Sequence, residues 1–361
     1  MDQKTAQDYP WVKQPLVACA PMRLVALAPL ATAVSQAGGL GFIGAGSDVS
    51  DLPGLLEESR KLLSSGPKLE TTDSDVLPIG LGFLLWGAPL QKTLDIISQP
   101  GNIPAAVWLF APREQSSLAD WSDGIRKYTK GKTKVWIQVC SVAEAISAVK
   151  SAQPDVLVIQ GTDAGGHGGA QGAGLTALVP EVIDTITKIC SDDSSIRMPS
   201  FNAAGGISDG RGLASAITLG CPGITLGTRY LASHEATIAK GYQDAVLRAS
   251  DGGMSTIRSS VYDTLRGTTD WPKNYGGRGV INASYHDHMS GVDWEENKRK
   301  YGEALKSGDS GWEGEQARLT TYAGTGLGLV TKVQPAGEIT REIREEGVKA
   351  LKAAAEKIAR L

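Results

Sequence analysis

Short apolar runs alternate with longer amphipathic stretches along the chain up to residue 229. Apolar or β-branched runs that end at glycine or proline predict buried strands, and the stretches between them have the apolar spacing of helices. A helix is predicted between each strand and the next. Eight strands are predicted in this way, at residues 16–20, 40–45, 77–86, 105–110, 134–139, 155–160, 199–203 and 223–226.

This strict alternation indicates parallel strands that are joined by helical crossovers. Eight such units are the number that closes a (β/α)8 barrel, the TIM barrel of the α/β class. The alternative is an open doubly wound sheet, but no GxGxxG pattern follows the first strand. Gly39-Leu40-Gly41 precedes a strand instead of opening a helix, so it is no dinucleotide fingerprint. The pattern therefore predicts the closed barrel, over residues 1–229.

The alternation stops after the eighth strand. Residues 234–249 have a helical pattern with a polar face, and residues 262–322 are polar with little strand character. Together they predict a smaller, mostly helical second domain or lid over residues 230–322, inserted after the eighth strand. Residues 323–361 begin with a glycine-rich segment and end in a charged amphipathic helix, Glu338 to Arg360. We expect that helix to pack back on the barrel through its apolar face.

Composition and charge exclude several classes of function. A net charge of −3 gives no electrostatic reason to bind nucleic acid or an anionic membrane. No apolar run has the length of a transmembrane helix, and the N-terminal residues lack the apolar core of a signal peptide. The four cysteines are far apart, and Cys19 and Cys140 lie in strand-like runs. This predicts buried free thiols in a reducing compartment.

The last three residues, Ala359-Arg360-Leu361, are similar to the Ser-Lys-Leu peroxisomal signal. A basic helix end that complements the helix dipole is the alternative reading. Both a cytoplasmic and a peroxisomal location therefore stay open.

The segment after the sixth strand carries the strongest candidate chemistry. Five glycines, Asp163 and His167 lie within residues 161–169. Because glycine is unfavourable in helices and strands, we expect an irregular loop here. Ligand sites of barrels lie at the carboxyl ends of the strands, and His167 is the one group in this loop that titrates near neutral pH. We therefore interpret His167 as the catalytic residue; a structural or exposed histidine is the alternative.

Two further glycine-rich exits follow the seventh and eighth strands. They are Ala204-Gly205-Gly206 and Gly227-Thr228. In barrels these two loops commonly bind phosphate through bare backbone N–H groups, and Thr228 can add a hydroxyl donor. The pair predicts a phosphorylated cofactor or substrate.

Other possible sites are weaker. His286-Asp287-His288 has the residue types of a metal site, but in a polar loop it is expected to be solvated, so no metal is predicted. Hydrolysis by a serine nucleophile lacks the GxSxG elbow. Trp108 and Trp136 lie within strands and are expected in the core, whereas Trp86 fits a pocket wall as well as a core position.

Four motifs together resemble those of the nitronate monooxygenase family, formerly called 2-nitropropane dioxygenases, and are most similar to its fungal type. Residues 271–278 also resemble part of the family's second domain. The four motifs, in the family's order, are Ala20-Pro21-Met22, Asp163-Ala164-Gly165-Gly166-His167-Gly168, Ala204-Gly205-Gly206-Ile207 and Gly227-Thr228.

The resemblance implies an FMN-dependent enzyme that uses O₂ to oxidise alkyl nitronates, or nitroalkanes after deprotonation, to carbonyl compounds and nitrite. It implies one-electron transfer from the nitronate to the flavin. The expected partners are therefore the small-molecule nitronate and O₂, with neither nucleic acid nor membrane. Whether the chain forms a homodimer stays open.

Residue by residue, the resemblance implies that His167 is the active-site group, either as the base that removes the α-proton or as a donor to the nitro oxygens. Pro21, Met22 and Arg23 are expected along the isoalloxazine, and Gln138 at its polar edge. Gly82 stands where many relatives carry an asparagine that contacts the flavin. The full cofactor-binding set implied is Pro21, Met22, Arg23, Gln138, Gly166, Ala204, Gly205, Gly206, Gly227 and Thr228.

Two other functions stay open from the residues. An FMN-dependent NAD(P)H oxidoreductase, such as an enoyl-thioester or quinone reductase, also carries a glycine-rich segment with a histidine on this kind of barrel. A ligand-binding barrel without catalytic activity is the second alternative.

Overall fold

The computed structural model describes residues 3–359, and its central element is a closed barrel of eight strands. Strands β1 and β9 pair in parallel from Leu16 with Gly223 to Cys19 with Leu226, which closes the barrel. The (β/α)8 prediction is confirmed. The barrel strands, in spatial order, are β1 (Leu16–Cys19), β2 (Leu40–Gly46), β3 (Val76–Leu84), β4 (Ile103–Phe110), β5 (Lys134–Val139), β6 (Val156–Gln160), β8 (Ser200–Ala204) and β9 (Gly223–Leu226).

Helices connect successive barrel strands and surround them. Ser141 begins one of these helices as predicted, because its side chain accepts a hydrogen bond from the backbone N–H of Glu144. The C-terminal helix α15 (Ala336–Ile358) packs against α8 and α2, while Arg360 and Leu361 of the final tripeptide lie outside the described residues. The connecting helices are α2 (Ala28–Gln36), α3 (Leu52–Ser65), α4 (Leu90–Ile97), α5 (Ser117–Tyr128), α6 (Val142–Ala152), α7 (Leu175–Asp192) and α8 (Gly210–Thr218), and α1 (Gln3–Asp8) precedes β1.

Aromatic side chains fill the interior of the barrel. Trp108 and Trp136 are buried and stacked, with ring centroids 5.9 Å apart, as expected for core residues. Phe42 packs against both rings. The hydroxyl of Tyr9, which follows α1, accepts a hydrogen bond of 2.7 Å from the indole N–H of Trp136. These side chains fill the interior of the barrel at this level, and ligand sites of such barrels lie above it, at the carboxyl ends of the strands.

A second sheet of three antiparallel strands contains the glycine-rich segment, and we call it the accessory sheet. It consists of β10 (Thr256–Ser259), β11 (Tyr275–Val280) and β7 (Gly166–Gly169), in that order. The expectation that residues 161–169 form an irregular loop was wrong for β7. The backbone of β7 pairs with β11 from Gly166 with Arg278 to Gly169 with Tyr275, and these pairs offset the intrinsic cost of glycine in a strand.

In residues 230–322 helices outnumber strands, and β10 and β11 are the two short strands of this part. His286 and His288 lie on helix α13 and not in a loop. No helix in residues 3–359 is long and apolar enough to cross a membrane. The helices of this part and of its flanks are α9 (Thr228–Leu231), α10 (Lys240–Arg248), α11 (Gly252–Ser255), α12 (Val261–Arg266), α13 (Ala283–Met289) and α14 (Trp294–Lys306), with 3₁₀ turns at Gly308–Trp312 and Thr325–Leu329.

Candidate active site

One cavity of about 510 Å³ opens at the carboxyl ends of the barrel strands. Its volume lies in the range of small-molecule and cofactor sites. Every candidate site residue named from the sequence lines this cavity. They are Pro21, Met22, Arg23, Gln138, Gly166, His167, Ala204, Gly205, Gly206, Gly227 and Thr228.

The exits of β8 and β9 form one side of the cavity, with little side-chain cover. Gly205 and Gly206 have φ values of +105° and +72°, which side chains rarely adopt. A Cβ atom at Gly227 would meet no protein atom closer than 3.9 Å, so the backbone there faces open space. The hydroxyl of Thr228 accepts a hydrogen bond of 2.9 Å from the backbone N–H of Gly324 and keeps its own proton to donate.

Ser208 also lines this side, and sequence analysis missed it. Its hydroxyl is buried and has no hydrogen-bond partner within residues 3–359. Such a group costs free energy unless a ligand satisfies it. A serine that follows a glycine pair in the same exit loop is the sequence signal that could have indicated it.

Gln138 extends from β5 into the cavity, and only one of the two polar groups of its amide, the carbonyl oxygen, makes a hydrogen bond within the described chain. The carbonyl oxygen accepts a hydrogen bond of 3.0 Å from the indole N–H of Trp108. The amide nitrogen Nε2 is buried and has no partner in the described part of the chain. The cavity therefore presents an oriented N–H donor that a bound molecule can use.

The segment after β1 passes close to β3 at Pro21. A Cβ atom at Gly82 would lie 2.2 Å from the Cβ atom of Pro21, so no side chain fits at Gly82 while Pro21 stays in place. Arg23 forms an ion pair of 3.2 Å with Asp51 in which both side chains are partly exposed. At Gly82, the contact with Pro21 thus gives glycine a steric reason in this chain.

His167 lies on β7 and contacts a buried carboxylate that sequence analysis missed. Its Nε2 atom lies 2.9 and 3.0 Å from the two carboxylate oxygens of Asp263, on α12. The imidazole ring stacks on the indole ring of Trp271, with centroids 3.7 Å apart. Both side chains of the pair are largely buried, with 13% of His167 and 6% of Asp263 exposed. The histidine is therefore held in one orientation.

Two hydroxyl groups complete the surroundings of Asp263. Tyr322 donates to it at 2.8 Å and Thr268 at 3.2 Å. Burial, the nearby charge of Asp263 and the hydrogen bond to it raise the pKa of Tyr322 well above its ordinary value, so the phenol stays protonated and donates. The carboxylate thus accepts hydrogen bonds from two hydroxyl groups and also lies within hydrogen-bond distance of the imidazole of His167.

Arg258 is the first of two arginines that hold the backbone before and at the start of β7. Arg258 donates to the carbonyl oxygens of Thr162, Ala164, Gly166 and Gly276, at distances between 2.6 and 3.2 Å. Burial lowers the pKa of Arg258 to about 10, so the guanidinium is charged near neutral pH.

The second arginine and a threonine hold the same backbone. Arg278, on β11, donates a hydrogen bond of 3.1 Å to the carbonyl oxygen of Thr162. The side chain and backbone oxygens of Asp163 accept hydrogen bonds from Thr325. The segment that carries His167 is therefore fixed from both sides.

Aromatic rings form the wall of the cavity next to His167. The rings of Trp86 and Phe110 lie 5.6 and 6.2 Å from that of Trp271. Trp86, which the sequence placed either in the core or at a pocket wall, is a wall residue. This side of the cavity suits an apolar group.

Comparison with known proteins decides the family. A family model described as nitronate monooxygenase matches residues 119–346, well over half of the chain. The chain belongs to the nitronate monooxygenase family. It is therefore an enzyme, and more broadly an oxidoreductase.

Two fungal members of the nitronate monooxygenase family are similar over nearly their whole length. Nitronate monooxygenase npaC of Metarhizium robertsii is 46% identical over 347 residues, which cover 95% of this chain and 94% of the relative. A nitronate monooxygenase of Neurospora crassa is 38% identical over 363 residues, covering 95% of this chain and 92% of the relative.

Solved structures share the fold. FabK from Thermotoga maritima superimposes with a TM-score of 0.71 at 23% identity, covering 99% of this chain and 98% of that one. Nitroalkane oxidase from Streptomyces ansochromogenes gives a TM-score of 0.69 at 20% identity, covering 94% and 98%. At these identities the likeness concerns the architecture alone.

Proposed function

We propose that the protein is an FMN-dependent nitronate monooxygenase that oxidises alkyl nitronates with O₂ to carbonyl compounds and nitrite. One observation carries the proposal within the family. The same cavity contains a histidine oriented by a buried carboxylate. It is also lined by three residues with a buried polar atom that has no partner among the described residues: Gln138 Nε2, Ser208 Oγ and Trp86 Nε1.

The residues of the cavity fit FMN. Gln138 Nε2 is a donor without an acceptor, and the polar edge of the flavin ring carries acceptors. Ser208, Thr228 and the bare backbone at Gly205, Gly206 and Gly227 supply the kind of donors that bind a phosphate group. When bound, FMN supplies the electron-accepting chemistry, and the protein supplies position and charge.

In this proposal His167 accepts the α-proton of a neutral substrate. A neutral nitroalkane must lose its α-proton before it can be oxidised, and an imidazole held at one orientation is suited to take it. The imidazolium that forms lies beside the Asp263 carboxylate, which stabilises its charge. For a preformed nitronate, the imidazolium form of the same ring donates to the nitro oxygens instead.

The aromatic wall positions the rest of the substrate. Trp86, Phe110 and Trp271 offer apolar surface beside His167, where the alkyl group of a nitronate is expected to lie. These rings also exclude water from the space in front of the imidazole, which strengthens the electrostatic interactions there.

The test compares substrates under air with nitrite as the readout. We expect the purified protein to be yellow, to release FMN on denaturation and to form nitrite from nitroethane, from its nitronate or from propionate 3-nitronate. Absence of nitrite with all three would refute the proposal.

An anaerobic mixing experiment tests the alternative on the same barrel, an FMN-dependent NAD(P)H oxidoreductase. The proposal expects the flavin absorbance to persist when NADH or NADPH is added without O₂. Rapid bleaching by either nucleotide identifies a pyridine-nucleotide oxidoreductase instead. A colourless protein that binds no FMN would indicate a ligand-binding barrel.

A further inference from the structure

The contact between His167 and Asp263 determines which ring nitrogen carries the proton. Both oxygens of the Asp263 carboxylate lie within 3.0 Å of Nε2. An ionised carboxylate only accepts hydrogen bonds, so Nε2 must be the N–H donor. In the neutral ring the lone pair is then on Nδ1.

Asp263 is itself held in place by groups that keep it an acceptor. The hydroxyls of Tyr322 and Thr268 donate to its Oδ1 atom at 2.8 and 3.2 Å. Its carboxylate is only 6% exposed, so water competes little for these bonds. Trp271 stacks on one face of the imidazole and limits rotation of the ring. The orientation of His167 therefore depends on one carboxylate and one indole.

We propose that Asp263 is a positioning residue that fixes His167 as the Nε2–H tautomer and so makes Nδ1 the atom that accepts the substrate's α-proton. This inference rests on the proposed function. In the step, the C–H bond of the nitroalkane breaks, its proton moves to Nδ1, and the electron pair stays on the substrate as the nitronate. The imidazolium so formed lies against the Asp263 carboxylate.

If Asp263 acts by fixing the tautomer of His167, its replacement should affect two kinds of substrate differently. A neutral nitroalkane needs the lone pair on Nδ1, whereas a preformed nitronate has already lost its proton. Replacing Asp263 should therefore affect the first much more than the second. A purely structural role would affect both alike.

The variant Asp263→Asn keeps the shape of the side chain and replaces one acceptor oxygen with an NH₂ group. When that group donates to Nε2, the ring is driven to carry its proton on Nδ1, where no base remains. In serine proteases the corresponding change costs about 10⁴ in kcat for this reason. Here the ratio of kcat/KM for nitroethane to that for its nitronate should fall on the order of 10²–10⁴-fold. An unchanged ratio would overturn the inference.

Nitrogen NMR of the histidine rings gives a readout independent of turnover. The chain has four histidines, and the signals missing in His167→Asn assign those of His167. We expect protonated Nε2 and unprotonated Nδ1 in the unmodified protein, and the reverse in Asp263→Asn. Tyr322→Phe is the matched control, because it removes another hydrogen bond from the same carboxylate and should leave the Nε2–H tautomer in place.

The two readouts separate the two proposals. If no nitronate yields nitrite, the proposed function fails while the ring-nitrogen assignment still decides the role of Asp263. If nitrite forms but the unmodified protein shows protonated Nδ1, the positioning role fails alone. That spectrum needs no Asp263 variant, and His167→Asn serves only to assign its signals, so it decides the inference even if Asp263→Asn does not fold.

Discussion

The imidazole ring of His167 lies flat on the indole ring of Trp271, with ring centroids 3.7 Å apart and planes inclined by only 5°. Trp271 belongs to the connection between α12 and β11, so a residue from outside the barrel covers one face of the histidine. Any substrate that reaches the ring must share this space with the indole.

Trp271→Ala should therefore change which nitronates are accepted. Removing the indole enlarges the cavity beside His167 and should favour longer alkyl groups over that of nitroethane. Each extra methylene that finds apolar contact is worth about 1–3 kcal/mol, so the ratio of kcat/KM for long and short nitronates should rise about tenfold or more. Steady-state kinetics over a chain-length series measures it, and an unchanged ratio would place the alkyl group elsewhere.

His167→Asn should retain FMN and lose most turnover with neutral nitroalkanes. The amide cannot take the α-proton, and a positioned base contributes on the order of 10²–10⁴-fold. Flavin content from the absorbance spectrum shows that the site remains folded. Unchanged activity with nitroethane would remove His167 from the catalytic role.

Gln138→Glu should weaken FMN binding. The carboxylate still offers Trp108 an acceptor, but it takes away the Nε2 donor that has no partner within the described chain. Loss of one such hydrogen bond costs about 1 kcal/mol, and more where two acceptors face each other, so the Kd should rise about tenfold. Titration of flavin fluorescence measures it. An unchanged Kd would mean that the amide does not contact the flavin.

Gly227→Ala tests the phosphate site without disturbing the fold. The added methyl group would meet no protein atom closer than 3.9 Å, so only a ligand close to the backbone should feel it. We expect the Kd for FMN to rise while that for riboflavin, which lacks the phosphate, changes little. Gly54→Ala on α3 is the matched control, because its methyl group also meets nothing within 4 Å but lies outside the cavity. An equal loss of affinity for FMN and riboflavin would mean that the phosphate does not bind at Gly227.

The four cysteines should differ in reactivity. Burial raises the pKa of Cys221 to about 12, and burial with the charge of Glu144 does the same for Cys140. Because the thiolate is the nucleophile, these thiols gain reactivity only as the pH rises toward that value. Cys19 is fully buried, and Cys190 is only partly buried. A disulfide reagent at about pH 8 should modify Cys190 in the native protein and all four after unfolding; reaction of Cys140 in the native state would contradict this.

The barrel could be predicted because its signal is local. Each strand is a continuous apolar run, and each helix has apolar residues spaced to form one face. The exits of β8 and β9 contain glycine, which leaves the backbone N–H groups uncovered for a ligand. Burial of Cys19 and Cys140 followed from the same runs and is confirmed. All of this information lies within a few residues of the element that it describes.

The partners of His167 could not be predicted in this way. Asp263 is 96 residues from His167 in sequence, and nothing in the six-residue helix around it indicates which residue it contacts. The accessory sheet was missed because β7 and β11 are rich in glycine and contain only one β-branched residue between them, Val280, of the kind that indicates strands. At Gly82 the reason for a glycine is contact with Pro21, which is likewise remote in sequence.

Strand β7 follows the barrel strand β6 along the chain but makes its backbone hydrogen bonds to β11. The histidine therefore lies where the barrel and the accessory sheet meet, and its geometry exists only while the two are packed together. Local opening of the accessory sheet would release His167 from Asp263 while the barrel itself stays folded. The thermal stability of the accessory sheet thus limits activity, and we expect activity to be lost on heating at a lower temperature than that at which the barrel unfolds.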